Sequence, residues 1–295
     1  MSKFFEATLR RQASPNATGL FPDPEPAGPS QKLHTIETGP LTDNLIRAAA
    51  DPSSRIPGGF RVVSVHATAG APSLSLDVAE RSSESYRIIR TKIVQHPLKP
   101  RLMCVSSSTP GDGKTVTAMN IAGSLALKRE TTAILVDADL RRPRLSGVLG
   151  IPGSPGLAEV LAGTCSIQEA VVRVADLPSL YFLPAGRSAI NPTELLDSER
   201  WRSVVDWMHN TFTFAIIDSP PVGMVADYDL IQSVCHGVLL VIRPGHTNRK
   251  LLQKTIDQMP SERFLGVVVN AVDDWFLWQT HSHYYDGYYR CQNQQ

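Results

Sequence analysis

The segment SSSTPGDGKT, residues 106–115, limits the possible folds of this chain more than any other segment. A strand-like apolar run, Leu102 to Val105, leads into it, and a helix-forming run, Val116 to Leu127, follows it. The two glycines near its end allow consecutive backbone N–H groups to curl around a phosphate, and Lys114 adds a full positive charge at the start of the helix. The segment therefore predicts a P-loop that binds a nucleotide.

The loop departs from the common pattern G-x-x-x-x-G-K-[ST], because Ser108 stands in the place of the first glycine. A chance Gly/Pro turn ending in Lys-Thr is the alternative interpretation, and the flanking strand and helix count against it. Thr115 supplies the hydroxyl that holds Mg²⁺ in such loops. The predicted nucleotide-binding residues of the loop are Pro110, Gly111, Asp112, Gly113, Lys114, Thr115 and Val116.

From about residue 80 the sequence alternates between strand-like and helix-like runs, which is typical of a mostly parallel sheet with helices on both faces. Ligands in such α/β folds bind at the carboxyl ends of the strands. We therefore expect a P-loop NTPase domain over residues 79–280. The strand candidates are 102–106, 133–137, 180–184, 214–218, 237–243 and 265–270, and the helix candidates are 115–128, 156–163, 192–209, 225–234 and 247–258.

The two ends of the chain differ from this central part in composition. Nine prolines stand among small and polar residues between positions 13 and 75, and such a composition buries too little apolar surface to offset the entropy of ordering. We predict a flexible, disordered region over residues 1–78, within which Phe5 and Leu9 have helical spacing. Residues 281–295 are polar and rich in tyrosine, and we expect them to form an exposed tail.

Charge and cysteine content argue against several classes of protein. A formal net charge of +1 gives no broad basic field, so nucleic acid is not a favoured partner. The four cysteines form no C-x-x-C pair, which favours neither a disulfide framework nor a zinc site. No apolar run approaches the length of a membrane helix, and the N-terminus lacks the apolar centre of a secretory signal. We expect a cytoplasmic protein.

Three aspartates follow apolar strands in the predicted sheet. Asp137 and Asp139 end the run AILVDAD one βαβ unit after the loop, where an adjacent strand would bring them beside the phosphates. Asp218 ends the run FAIID, which resembles a Walker B strand, and Mg²⁺ prefers such oxygen ligands. Any one of these runs can end a strand for structural reasons alone. Together with Lys114, they form a sufficient set for phosphoryl transfer.

Three segments together resemble one family. PGDGKT at 110–115, VDADLRRP at 136–143 and IDSPP at 217–221 resemble the Walker A, A′ and B motifs of the bacterial tyrosine kinases (BY-kinases) of capsule and exopolysaccharide assembly, the CpsD/CapB type. The resemblance spans roughly residues 80 to 290. It implies an enzyme that transfers the γ-phosphoryl group of ATP to protein tyrosine, with Mg²⁺ as a cofactor.

The resemblance also implies a role for each matched residue. Lys114 clamps the phosphates, Thr115 and Asp218 hold Mg²⁺, and Asp137 and Asp139 contact the metal and the acceptor tyrosine. Which of the last two is the catalytic base stays open.

A charged helix precedes the loop. Glu84, Arg87 and Arg90 fit the family motif E-x-x-R-x-x-R, and on a helix they fan over about 120° of one face. The resemblance implies that this face contacts a neighbouring subunit in a ring-like homo-oligomer. Without the resemblance, a charged helix face is usually only solvated.

The tail contains four closely spaced tyrosines, Tyr284, Tyr285, Tyr288 and Tyr289. The resemblance implies that they are autophosphorylated, with the tail of one subunit entering the site of another. The alternative is an aromatic tail that docks on its own domain. Because each phosphate adds about −1.5 to −2 charges, we hypothesise that phosphorylation loosens the oligomer.

The nucleotide base and the nearest rival functions depend on fewer residues. Asn270 begins an N-A-V-D segment that lacks the lysine of the guanine-reading N-K-x-D pattern, and in the family the corresponding asparagine lies by adenine, so we expect ATP.

Partitioning ATPases of the ParA/MinD type share the fold but carry a signature lysine where this chain has Thr109. A nucleotide-binding scaffold of a polysaccharide assembly complex is the other alternative. By resemblance, a separate membrane activator recruits the protein to the inner face of the membrane.

Overall fold

The computed structural model describes residues 3–5, 58–65, 81–187 and 191–272 of the chain. The strands are β1 (Lys3–Phe5), β2 (Arg61–Val63), β3 (Leu102–Ser107), β4 (Ala133–Asp137), β5 (Val172–Val174), β6 (Leu180–Leu183), β7 (Phe214–Asp218), β8 (Gly237–Ile242) and β9 (Phe264–Val269). The helices are α1 (Arg81–Gln95), α2 (Lys114–Ala126), α3 (Leu145–Leu149), α4 (Leu157–Ala162), α5 (Ile167–Ala170), α6 (Pro192–Leu196), α7 (Glu199–Thr211), α8 (Asp227–Ser233) and α9 (Arg249–Gln258), and a 3₁₀ turn (Ser261–Arg263) precedes β9.

These strands form one sheet in the order β1-β9-β8-β3-β7-β4-β6-β5-β2. β1 pairs antiparallel with β9 and β5 pairs antiparallel with β6, and the other neighbours are parallel. Buried side chains alternate between two apolar clusters along β3: Cys104 belongs to one, and Met103 and Val105 belong to the other. Both faces of the sheet are therefore covered, and the predicted mostly parallel P-loop NTPase fold is confirmed.

The order of the central strands differs from the expectation in one respect. β4 was expected beside β3, but β7 lies between them, with Asp218 opposite Val105 on one side and opposite Asp137 on the other. The crossover from β3 to β4 therefore skips one strand position. This order brings the Walker B aspartate next to the P-loop strand and places the Walker A′ aspartates one strand farther away.

Several element boundaries shift for local reasons. The helix predicted over 192–209 breaks into α6 and α7 at Asp197, and the Ser198 side chain accepts a hydrogen bond from the backbone N–H of Trp201 to start the second helix. α3, α5 and β5 were not predicted, because runs of five, four and three residues are too short to show a hydrophobic period.

The N-terminal region contains structure that its composition did not predict. Residues 58–65 were expected to be disordered, and this expectation is wrong, because β2 pairs in parallel with β5 at the edge of the sheet. The ring of Phe60 lies 5.5 Å from that of Tyr181 and 6.4 Å from that of Trp207, in edge-to-face contacts. Lys3–Phe5 also forms a strand, β1, which differs from the helical spacing of Phe5 and Leu9 noted in the sequence.

Two glycines test the packing of this fold as a matched pair. A Cβ at Gly156, at the start of α4, would collide with the backbone of Gly186 and Pro184, whereas a Cβ at Gly147 in α3 meets nothing within 4 Å. We expect Gly156→Ala to lower the free energy of unfolding by about 1–3 kcal/mol, because backbone atoms must move. Gly147→Ala should raise it by roughly 0.5–1 kcal/mol, because alanine favours the helix. Urea unfolding of both variants measures the difference, and equal effects would contradict the packing described here.

Candidate active site

The P-loop connects β3 to α2 at the centre of the sheet. Gly111 and Gly113 both have φ of +94°, a conformation that side chains rarely adopt, so both positions need glycine. A Cβ at Gly113 would also collide with the side-chain amide of Asn270. Gly113 caps α2, a helix of 13 residues, so the loop opens onto a helix start with its partial positive charge. The loop therefore has the backbone of a phosphate-binding site.

The Lys114 ammonium lies between two carboxylates. Its Nζ is 3.3 Å from Oδ2 of Asp139 and 3.4 Å from Oδ1 of Asp218. The hydroxyl of Thr115 donates a hydrogen bond of 2.7 Å to Oδ2 of Asp218, whose side chain is 1% exposed. The structure thus brings together four residues that the sequence placed in the site, from the P-loop and the ends of β4 and β7.

The charge state of Lys114 follows from its neighbours. Burial alone would lower its pKa, but attraction to the Asp218 and Asp139 carboxylates outweighs burial and raises the pKa above its ordinary value. Lys114 therefore stays protonated at neutral pH. A fixed cation at this position favours the polyphosphate of a nucleotide.

Asp137, the last residue of β4, is fully buried. Its Oδ2 accepts hydrogen bonds from the backbone N–H groups of Arg144, at 3.2 Å, and Leu145, at 3.1 Å, so it fixes the turn that follows β4. Its Oδ1 is buried and has no hydrogen-bond partner among the residues that the structure describes. Burial, with repulsion from Asp218, raises the pKa of Asp137 to about 7.

A cavity of about 420 Å³ opens in front of the P-loop. Asp139 lines the cavity, but Asp137 and Asp218 do not. Its other walls are Pro110, Gly111, Gly113, Lys114, Thr115, Val116, Arg141, Arg142, Arg144, Val148, Pro220, Pro221, Met224 and Val225. A ligand in this cavity contacts the P-loop, the turn after β4 and the segment after β7 at once.

An ion pair that no sequence motif predicted lies at the edge of this cavity. Arg141 Nε donates to Oδ2 of the fully buried Asp227 at 2.7 Å, and Thr193 Oγ1 donates to Oδ1 at 2.6 Å. Burial alone would raise the pKa of Asp227, but these bonds lower it. The pair joins the turn after β4 to α6 and α8. Arg141 belongs to the VDADLRRP run, but its partners are 52 and 86 residues away in sequence, which no local pattern reveals.

Two of the predicted nucleotide-binding residues contact the loop itself. Asp112 is fully buried and does not line the cavity, although its neighbours Gly111 and Gly113 do. The side-chain amide of Asn270 donates to the carbonyl oxygen of Asp112 at 3.0 Å. Asn270 thus lies at the P-loop, and its expected contact with adenine stays a prediction.

The three charged residues of the E-x-x-R-x-x-R motif lie on α1 but differ in their contacts. Arg87 Nη1 lies 3.0 Å from Oε2 of Glu84 in a solvent-accessible pair. Arg90 Nη1 donates to the carbonyl oxygen of Ser124 in α2, at 2.9 Å. Glu84 and Arg87 are therefore available to a partner, whereas Arg90 also fastens α1 to the P-loop helix. The tail tyrosines Tyr284, Tyr285, Tyr288 and Tyr289 lie outside the described residues.

The donor set fits a magnesium ion that shares its ligands with a nucleotide. Within the described ranges, no group of three or more His, Cys, Asp and Glu side chains is arranged to hold a metal by itself. Mg²⁺ is usually bound by one or two protein oxygens together with substrate phosphates, so it needs no such group. Thr115 Oγ1 and the Asp218 carboxylate, 2.7 Å apart beside the P-loop, are oxygen donors that fit such a site.

The raised pKa of Asp137 predicts a specific pH dependence of stability. Between its unfolded value of 3.8 and its folded value of about 7, the folded state holds a proton that the unfolded state has lost, so stability falls as the pH rises through this range. We expect the unfolding free energy of Asp137→Asn to gain roughly 2–3 kcal/mol relative to the original protein between pH 5 and pH 8. Urea unfolding without nucleotide measures this. Asp206→Asn, at an exposed position on α7, controls for replacing a carboxyl with an amide, and a constant difference for Asp137→Asn would contradict the burial argument.

The chain resembles known proteins over about two thirds of its length, although no family model matches it. It is 32% identical over 199 residues to tyrosine-protein kinase CpsD of Streptococcus agalactiae, covering 66% of this chain and 86% of that protein. It is 32% identical over 201 residues to tyrosine-protein kinase CpsD of Streptococcus pneumoniae serotype 4, covering 67% and 88%. Among solved structures, the BceF tyrosine kinase domain superposes with a TM-score of 0.61 at 28% identity, covering 79% of this chain and 90% of that one. The chain belongs to the CpsD-type bacterial tyrosine kinases.

Proposed function

We propose that the protein is an ATP-dependent protein-tyrosine kinase that regulates capsular or exopolysaccharide biosynthesis and export. The observation that carries the proposal is the contact of Lys114 with Asp139 and Asp218 at the P-loop, beside a cavity that Asp139 itself lines. This arrangement combines a fixed cation for the phosphates with a carboxylate open to an acceptor. Membership of a kinase family supports the same reaction.

In the proposed reaction, ATP phosphorylates the phenol of a tyrosine. A bond forms between the phenol oxygen and the γ-phosphorus, the bond from that phosphorus to the bridging oxygen breaks, and ADP leaves with the electron pair. Lys114 and the P-loop backbone hold the phosphates in line with the acceptor. Mg²⁺, bound through Thr115 and Asp218, would supply further neutralisation of phosphate charge.

The two Walker A′ aspartates are assigned different roles in this proposal. Asp139 lines the cavity, so we infer that it accepts the phenol proton. Asp137 is fully buried and holds the turn after β4 through the N–H groups of Arg144 and Leu145. We infer that Asp137 positions Asp139 by fixing the turn that follows it.

The acceptor in the proposal is the tail of another copy of the chain, at Tyr284, Tyr285, Tyr288 and Tyr289. The partners are further copies in a ring-like homo-oligomer, a separate membrane activator, and other protein-tyrosine substrates, with no nucleic acid. The described helices include none that is long and apolar enough to cross a membrane. The proposed activator recruits the protein to the inner face of the membrane.

Loss of the P-loop cation should abolish the reaction. With Mg²⁺ and γ-labelled ATP, Lys114→Met should lower phosphotyrosine formation by about a hundredfold or more, because the phosphates lose their fixed cation. Lys128→Met is the matched control, since Lys128 is exposed just beyond α2 and should leave the rate unchanged. The assay is repeated with a fragment of the candidate activator. ATP turnover without phosphotyrosine would favour a partitioning-type ATPase, and nucleotide binding without turnover would favour a scaffold.

The α1 face tests the proposed oligomer. Arg87→Glu should reduce the mass in solution to that of one chain if Arg87 contacts a neighbouring subunit. The double variant Glu84→Arg with Arg87→Glu preserves the ion pair within the helix, in which nitrogen and oxygen are 3.0 Å apart. It inverts the charges that the helix offers to a partner. Both variants should therefore be monomers by light scattering. A double variant that keeps the mass of the original oligomer would show that the pair acts only within its own helix.

A further inference from the structure

The side chain of Asp112, in the middle of the P-loop, is fully buried and fully hydrogen bonded. Oδ2 accepts from the backbone N–H of Thr109 at 3.0 Å and from the hydroxyl of the same residue at 2.9 Å. Oδ1 accepts from Thr247 Oγ1 at 2.7 Å and lies 2.9 Å from Nδ1 of His246. We call these four residues, Thr109, Asp112, His246 and Thr247, the Asp112 clamp.

Half of the clamp comes from a distant part of the chain. His246 and Thr247 belong to the segment between β8 and α9, 134 and 135 residues after Asp112. The segment is itself fixed, because the backbone N–H of Arg243 donates to Thr247 Oγ1 at 2.8 Å and Gly245 adopts a left-handed conformation, with φ of +72°. The hydroxyl of Thr247 therefore accepts one hydrogen bond from its own turn and donates the other to the P-loop.

The clamp holds the part of the P-loop whose backbone has the most conformational freedom, because glycine stands on both sides of Asp112. Glycine loses more conformational freedom on ordering than any other residue. The His246 ring also lies 3.2 Å from the position of a Cβ on Gly111, and the Asn270 amide donates to the Asp112 carbonyl oxygen. The middle of the loop is thus fixed by the segment after β8 and by Asn270, the residue that follows β9. A loop held in its curled conformation before a phosphate arrives costs less entropy to bind it.

The burial of Asp112 excludes a direct contact between its side chain and a ligand in the cavity. Its carboxylate is absent from the cavity wall, and its oxygens already have four donors within hydrogen-bond distance. An effect of this side chain on nucleotide binding must therefore pass through the backbone of Gly111 and Gly113.

We propose that His246 and Thr247 are positioning residues of the nucleotide site, which hold the P-loop in its phosphate-binding conformation through the buried Asp112 carboxylate. The inference rests on the proposed nucleotide chemistry, and it adds to that site two residues that the Walker motifs do not contain. Neither residue is among the cavity-lining residues, so both act through Asp112.

The test measures the dissociation constant of the fluorescent nucleotide mant-ADP and the KM for ATP. Thr247→Val and His246→Leu should each weaken mant-ADP binding by about tenfold, since each removes a hydrogen bond to a charged group. His246→Asn should restore most of the affinity, because its amide N–H stands near the place of Nδ1. Thr164→Val is the matched control: the Thr164 hydroxyl is exposed and donates to the carbonyl oxygen of Glu159, so affinity should not change.

A double-mutant cycle separates positioning from general stability. In an Asp112→Ala background, Thr247→Val should cause no further loss of affinity, because the clamp is already broken. Additive losses of affinity in the double variant would overturn the proposal. It would also be overturned if Thr247→Val and His246→Leu lowered only the melting temperature and bound mant-ADP within twofold of the original protein. If the unaltered protein binds mant-ADP but forms no phosphotyrosine, the proposed kinase function fails while the clamp is still tested by binding.

Discussion

The contact of Lys114 with the carboxylates of Asp139 and Asp218 is the interaction on which the rest of the site depends. A buried carboxylate costs several kcal/mol unless a cation or hydrogen-bond donors compensate it, and three aspartates lie within this small region. Lys114 provides the compensating charge and Thr115 provides a donor to Asp218. Asp137 receives two backbone N–H groups but no complete compensation, so its pKa rises to about 7. Of the two Walker A′ carboxylates, Asp139 lines the cavity and Asp137 does not.

The order of the central strands makes this interaction possible. β7 lies between β3 and β4, so the strand that ends in Asp218 is next to the P-loop strand. Asp218 is also the register partner of Asp137 on the neighbouring strand β4. The sequence predicted the strands and the residues at their carboxyl ends, because apolar runs ending in aspartate are local features. It did not predict which strand lies beside β3, since strand order depends on how helices pack across the sheet.

The same distinction separates the predicted site residues from those that were missed. Gly113, Lys114 and Thr115 follow each other in a recognisable motif, and the structure places them together at the start of α2. Asp227 is 86 residues after its partner Arg141, and Thr247 is 135 residues after its partner Asp112. Neither belongs to a spacing pattern. Phe60 lies in a proline-rich region whose composition predicts disorder, yet its ring packs against Tyr181. Such contacts depend on tertiary packing, which overrides local composition.

The most direct test of the account is a mixing experiment with two inactive variants. Lys114→Met keeps the tail tyrosines but lacks the phosphate cation, and a variant with Tyr284, Tyr285, Tyr288 and Tyr289 all changed to Phe keeps the cation but lacks the acceptors. If the site around Lys114, Asp139 and Asp218 transfers phosphate to the tail of another copy, the mixture with MgATP should form phosphotyrosine on the Lys114→Met chain. Neither variant should form phosphotyrosine alone. A mixture without phosphotyrosine, under conditions in which the unaltered protein is labelled, would contradict transfer between chains at this site.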